Sequence, residues 1–199
     1  MALENKKDEA FLGLAHYRRY FNFLNYSFVK PHRINIVQMN NEIFKKHIEK
    51  EHIIKSRILK WLKNYDVILP YKRGLKNDHQ YISITQEYCL NHIENDWNVT
   101  MQIILEKYPD YQKSIKKHLD NNNKIFLMNM FVSNRKFVDD YCSWLFDILF
   151  EVEKRISFSD DAYQKRVFGF ISERLFTLYI FHNKLKVKEL PLLFIKDYF

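Results

Sequence analysis

A helix-rich α/β fold is predicted by three features of the sequence. Short continuous apolar runs have the length of strands, longer stretches repeat apolar residues every three or four positions, and turn formers are scarce. Three glycines and four prolines in 199 residues leave few natural breaks, so the helices should be long. Apolar residues make up 47% of the chain and aromatics 17%, enough to bury a core and to exclude a disordered tail. One domain over 1–199 is the expectation.

Phe11-Leu12-Gly13-Leu14-Ala15, entered from a charged segment, reads as a buried strand, with a polar cluster from His16 at its end. From Asn41 to about Asn64, residues such as Ile43, Phe44, Ile48, Ile54, Ile58 and Leu62 recur at helical spacing. An Asn is available as N-cap, which gives one long amphipathic helix. Asp66-Val67-Ile68-Leu69-Pro70 reads as a short strand closed by proline. A basic loop through Lys72, Arg73, Gly74 and Lys76 follows and is expected to be mobile. Asp96 stands where an N-cap would stand for a helix Asn98 to Lys107, and Pro109 opens another that runs to the polar stretch Asp120 to Asn123. Lys124 to Val132 reads as one strand, Phe137 to Arg155 as a helix and Asp161 to His182 as a second long helix. Lys186 to Phe194 closes the pattern as a strand or extended arm.

The formal net charge of +8 favours an anionic partner. Lys and Arg alternate with Glu and Asp between Lys45 and Lys63, which is the pattern of a solvated helix face rather than of a nucleic-acid footprint. Cys89 and Cys142, the two cysteines, lie in apolar stretches and are too few for a disulfide framework, so a cytoplasmic location is expected. No run approaches the roughly 18 apolar residues of a membrane span, and the first residues lack the apolar core of a secretory signal.

Generic catalytic motifs are absent, but three polar constellations stand out. His16-Tyr17-Arg18-Arg19-Tyr20-Phe21 follows the apolar strand, and its paired guanidiniums suit a diphosphate; the alternative is a solvated strand end. Tyr88, His92 and Asp96 fall on one helical face with Trp97 beside them, which suits a general base with a sugar-holding indole; the alternative is a helix cap over a buried Trp. Arg166, Gly169, Phe170, Glu173 and Thr177 share a face of the last helix. There a glycine costs about 1 kcal/mol relative to Ala, so a close approach of backbone or ligand is expected to compensate. The alternative is a buried Arg–Glu pair.

At these constellations the sequence resembles a bacterial glycosyltransferase family of capsular and O-antigen polysaccharide synthesis, long catalogued as a domain of unknown function. The resemblance runs in order along nearly the whole chain. It takes in Gly13 to Phe21, Asp66 to Pro70, His92 with Asp96-Trp97, Tyr108 to Tyr111, Asn129-Met130-Phe131, Trp144-Leu145-Phe146 and Glu153-Lys154-Arg155. It closes with Tyr163-Gln164 and with Arg166 to Leu175. Because the family includes galactofuranosyltransferases, the resemblance implies a hexosyltransferase with a GT-A-like α/β domain. It implies transfer of galactofuranose or a related sugar from a UDP-sugar to a lipid-linked or polysaccharide acceptor at the cytoplasmic membrane face. The first βα units of the family domain are expected to be absent, so a partner chain, a homo-oligomer or weak nucleotide binding is expected with them.

An inverting transferase needs a carboxylate to deprotonate the acceptor and positive charge for the departing diphosphate. Asp96 and Glu173 are the candidate bases, Asp96 preferred because Glu173 has Arg166 and Arg174 as ion partners. His16, Tyr17, Arg18, Arg19 and Arg166 are the candidate donor contacts, and His92, Trp97 and Asn129 the candidate sugar contacts. No cofactor or metal site is assigned, and a divalent cation is left open. Two other readings compete: a non-catalytic scaffold, and a basic nucleic-acid-binding module.

Overall fold

A computed structural model of the chain describes residues 11–24 and 36–195, the side chains of 36–39 and 43 left aside. The ends of the single domain expected over 1–199 lie outside the described residues. In chain order the first elements are β1 (Leu12–Leu14), β2 (Arg19–Phe21), β3 (Ile36–Met39), α1 (Asn41–Ile48), α2 (Glu51–Leu62), β4 (Val67–Pro70), β5 (Arg73–Gly74), β6 (Lys76–Asn77) and β7 (Gln80–Tyr81). There follow α3 (Ile84–Asn91), α4 (Glu94–Lys107), α5 (Gln112–Ile115), β8 (Lys124–Ile125), β9 (Phe131–Ser133), α6 (Arg135–Arg155), α7 (Val167–His182), β10 (Val187–Leu190) and β11 (Leu192–Ile195). The helix-rich α/β class is the one the sequence predicts. The chain divides into two compact units, Met1–Tyr71 with Met128–Val138 and Leu185–Phe199, and Lys72–Leu127 with Asp139–Lys184.

The first unit holds two small mixed sheets. In one, of order β1-β9-β4-β10, β4 runs antiparallel to β9 and parallel to β10. In the other, β11 lies between an antiparallel β2 and a parallel β3. Phe21, Ile58, Ile68, Met130, Val132, Leu190 and Leu192 form a core cluster here, and β4 is buried at all four positions, on both faces, in keeping with its apolar residues. Asp66, just before β4, ties two neighbours: its carboxylate accepts from the Lys186 N–H at 2.7 Å and its carbonyl from the Ser133 hydroxyl at 2.5 Å.

Several expected elements of this unit are corrected. The apolar run at Phe11 to Ala15 is not a central buried strand: among the described residues β1 pairs with β9 alone, and Leu14 is 51% exposed. Gly13 is required there, because a Cβ would stand 3.1 Å from Val132 Cγ2 and 3.3 Å from Phe131 O. The single helix expected from Asn41 to Asn64 is two, because the Lys50 N–H turns back on His47 O at 3.2 Å and Lys50 leaves helical geometry at φ −92°, ψ 27°. Lys124 to Val132 is not one strand either. Met128 and Asn129 take φ of 75° and 50°, a left-handed backbone that ends any ladder. Lys186 to Phe194 is likewise split at Pro191 into β10 and β11, which belong to different sheets.

The second unit is largely helical. Ser83 opens α3 with a capping box, its Oγ accepting the Gln86 N–H at 3.1 Å while Gln86 Oε1 accepts the Ser83 N–H at 2.9 Å. Beyond α4, Pro109–Tyr111 forms a 3-10 turn and Lys116–Asp120 a π turn on either side of α5. The basic segment after β4 is laid into two short ladders, β5 with β8 and β6 with β7, rather than left as an open loop. The last long helix begins at Val167 rather than Asp161, because Asp161 Oδ1 accepts the N–H groups of Tyr163 and Gln164, both at 2.9 Å, and holds a turn there. Ile171, Leu175 and Leu178 are buried, as befits a helix apolar on most of its circumference.

Candidate functional site

Around Tyr88 the second unit gathers polar groups that its own fold leaves unsatisfied. Tyr88 is buried on α3 and stacks on Trp97, ring centroids 4.7 Å apart, and tilts against His92 at 4.9 Å. The one helical face expected to carry residues 88, 92 and 96 does not exist: α3 ends at Asn91, His92 is extended, and α4 restarts at Glu94. That break brings Trp97 under Tyr88. It also puts Asp96 in the first turn of α4 rather than at its cap, which is Ile93.

Asp96 is only 4% exposed, and no donor among the described residues reaches its carboxyl. Burial pushes its pKa above the ordinary carboxylate value. The first turn of α4 works in the opposite sense, because the positive end of the helix dipole favours the anion. The Tyr88 hydroxyl also has no hydrogen-bond partner among the described residues, nor has His92 Nδ1. Burial, and then the Asp96 carboxyl, raise the Tyr88 pKa well above that of a free phenol. Burial and the nearby Arg174 charge lower that of His92, which holds the imidazole neutral. Buried polar groups left without partners cost about 1–3 kcal/mol each, so this cluster is suited to a polar ligand.

Arg174 on α7 braces the cluster from beneath. Its guanidinium lies 5.5 Å from the Tyr88 ring centre, donates to Phe170 O at 2.9 Å, and pairs with Glu87 at 2.6 Å and with Glu173 at 3.4 Å. Arg166 does not pair with Glu173 as the sequence suggested; its guanidinium stands over Phe170 at 5.4 Å and Tyr163 at 6.0 Å. His92 completes this ring stack, 3.9 Å from Phe170 and 5.8 Å from Tyr163. Gly169 is not squeezed: a Cβ there would meet nothing within 4 Å, so its outer side is open space.

In the first unit, His16 to Arg19 form a tight turn closed by the Arg19 N–H on His16 O at 3.0 Å, with Arg18 in the left-handed region at φ 57°. Arg19 Nη1 lies 2.9 Å from His16 Nδ1, within hydrogen-bond reach. Arg18 Nε donates to Ile195 O at 2.8 Å, and both guanidiniums lie over the Phe194 ring, at 5.3 and 5.4 Å. Tyr17 is exposed. The basic pair is thus held by β11 rather than loosely solvated. Asn129, in its left-handed turn, belongs to the same unit.

The sequence-derived residues therefore fall into two groups, His16, Tyr17, Arg18, Arg19 and Asn129 in the first unit and His92, Asp96, Trp97, Arg166 and Glu173 in the second. Trp97 is fully buried and stacks on Tyr88 as its apolar wall. Sequence reasoning missed Glu87, Arg174's closest partner, since 87 residues separate the two. It also missed Tyr163 and Phe170 as stacking rings around His92.

A solved structure of the WbbM bifunctional glycosyltransferase in its apo form is similar to this chain, with a TM-score of 0.85 and 28% identity. The likeness covers 98% of this chain and 35% of that one, so the chain spans about a third of the length of the structure it matches. No curated protein matches the sequence. The family described as a domain of unknown function, DUF4422, matches residues 1–184, and this chain belongs to it.

Proposed function

We propose that the chain is a glycosyltransferase domain of bacterial surface-polysaccharide synthesis. In this reading it moves galactofuranose or a related hexose from a UDP-sugar to a lipid-linked or polysaccharide acceptor, with inversion. The likeness to a bifunctional glycosyltransferase over 98% of the chain supports the reaction class. The observation that supports a site is Asp96, 4% exposed, near enough to Tyr88 to raise its pKa, and without a donor among the described residues. A carboxylate with a raised pKa is a stronger base than a free Asp, and its ionised form takes the proton of an acceptor hydroxyl. As that oxygen bonds to the anomeric carbon, the bond from the same carbon to the diphosphate oxygen breaks and UDP departs with the electron pair. Glu173 is the second base candidate, less suited because Arg174 already holds it. Arg18, Arg19 and Arg166, with His16 and Tyr17, are the proposed donor contacts, and His92, Trp97 and Asn129 the proposed surroundings of the sugars.

Release of UDP from UDP-galactofuranose, followed with and without a chelator, tests the reading and shows whether a divalent cation shares the work on the leaving group. Turnover should fall by about a hundredfold or more in Asp96→Asn. UDP affinity should survive that change and weaken in Arg19→Ala. Failure of the unaltered protein to turn over any UDP-hexose would overturn the proposal, and near-normal turnover in Asp96→Asn would move the base to Glu173.

A further inference from the structure

The outward face of α2, in the first unit, carries an unbalanced strip of cations. His52, Lys55, Ser56, Leu59, Lys60 and Lys63 line an open groove along it, and all six are exposed. Their spacing of three and four residues keeps them on one side of the helix. A strip that served solubility alone would carry acid–base pairs one turn apart, as Lys46 and Glu42 do on α1 at 3.2 Å. Among the described residues Lys55, Lys60 and Lys63 make no ion pair, and Glu51, a turn before Lys55, is not bonded to it. Leu59 sits in the middle of these lysines at 37% exposure, and Ile53, at the edge of the same helix face near its start, has the same exposure.

Exposed aliphatic side chains set among unpaired lysines are the composition of a helix that lies in a bilayer interface. There the ammonium groups meet phosphate headgroups and the aliphatic groups enter the acyl boundary. The strip has no arginine fork and, His52 aside, no aromatic ring, the groups that single-stranded nucleic acid binding uses. Among the described residues no helix is long and apolar enough to cross a membrane, so the contact is a peripheral one. We propose that this face of α2 docks the protein on an anionic phospholipid surface.

Sedimentation of the full chain with vesicles of phosphatidylglycerol and phosphatidylcholine in equal parts tests this, with pure phosphatidylcholine vesicles as reference. Binding should be confined to the mixed vesicles and fall with added salt. The triple variant Lys55→Gln, Lys60→Gln, Lys63→Gln should bind about a hundredfold more weakly, at about fivefold per lysine. Leu59→Ser should lose a further few-fold. A control triple, Lys113→Gln, Lys116→Gln, Lys117→Gln, removes the same charge from the second unit and should bind as the unaltered protein does. Thermal melting of each variant confirms that the surface changes leave the fold intact. Equal binding to both vesicle types, unchanged binding by the α2 triple, or an equal loss in the control triple each overturns the proposal. So does binding of single-stranded RNA through the same lysines without any vesicle binding.

Discussion

Replacing Asp96 by Asn should separate stability from activity in opposite directions. In the folded protein the carboxyl is buried with no donor, and its pKa lies above the ordinary value of 3.8. The folded state therefore holds the Asp96 proton more tightly than the unfolded state does. Its contribution favours folding below the unfolded pKa and is lost as pH rises from about 3.8 through the raised folded value. At neutral pH the ionised group therefore costs stability. Asn keeps the shape and removes the charge, so the variant should be the more stable at neutral pH, by about 0.5–2 kcal/mol, the range of a single stabilising substitution. For a chain of this size that is a rise of roughly 2–4 °C in Tm per kcal/mol. Urea denaturation at neutral pH and again near pH 4 measures it, and the gain should shrink at the acid end. A loss of more than about 1 kcal/mol at neutral pH would refute the reasoning, since it would mean that the carboxylate is stabilised by partners the fold supplies.

Arg174→Gln should cost about 3 kcal/mol in urea denaturation, because it strips Glu87 of its closest counter-ion and removes the side-chain donor to Phe170 O; Arg174→Lys should rescue only part. Gly169→Ala should stabilise by about 1 kcal/mol, since a Cβ meets nothing there and the helix interior gains; a destabilised variant would show that the space is not open. His92 is held neutral by burial and by Arg174, so the unfolded state takes up its proton first and the stability it lends is lost as pH falls below about 6.5. His92→Phe should flatten the fall in urea midpoint between about pH 7 and 5.5, leaving the share of His47 and His118, whose pKa values burial also lowers.

What the sequence revealed and what it hid follow from how local each signal is. The strand at Val67 to Pro70 and the helix to Arg155 were legible because their periodicity is a property of adjacent residues. The breaks at Lys50, at His92 and at Met128-Asn129 carry no glycine or proline. Propensity marks none of them except Asn129, a residue type enriched in the left-handed region. Asp96 stood out as a carboxylate beside an indole, but its lack of partners depends on the restart of α4 two residues earlier. Glu87 was invisible because nothing near it in sequence points to Arg174.

The order in which the ribosome delivers these segments follows from the splitting of the first unit. β4 is synthesised by residue 70, yet its parallel neighbour β10 begins at Val187, and β2 and β3 must wait for β11, which ends at Ile195. The second unit lies wholly between these strands in the sequence and can condense on helical contacts while synthesis continues. Neither sheet of the first unit can close until its last strands have cleared the exit tunnel. Until then its early apolar strands remain open to chaperones, and a chain that stops at His182 keeps every helix of the described residues but can complete neither sheet.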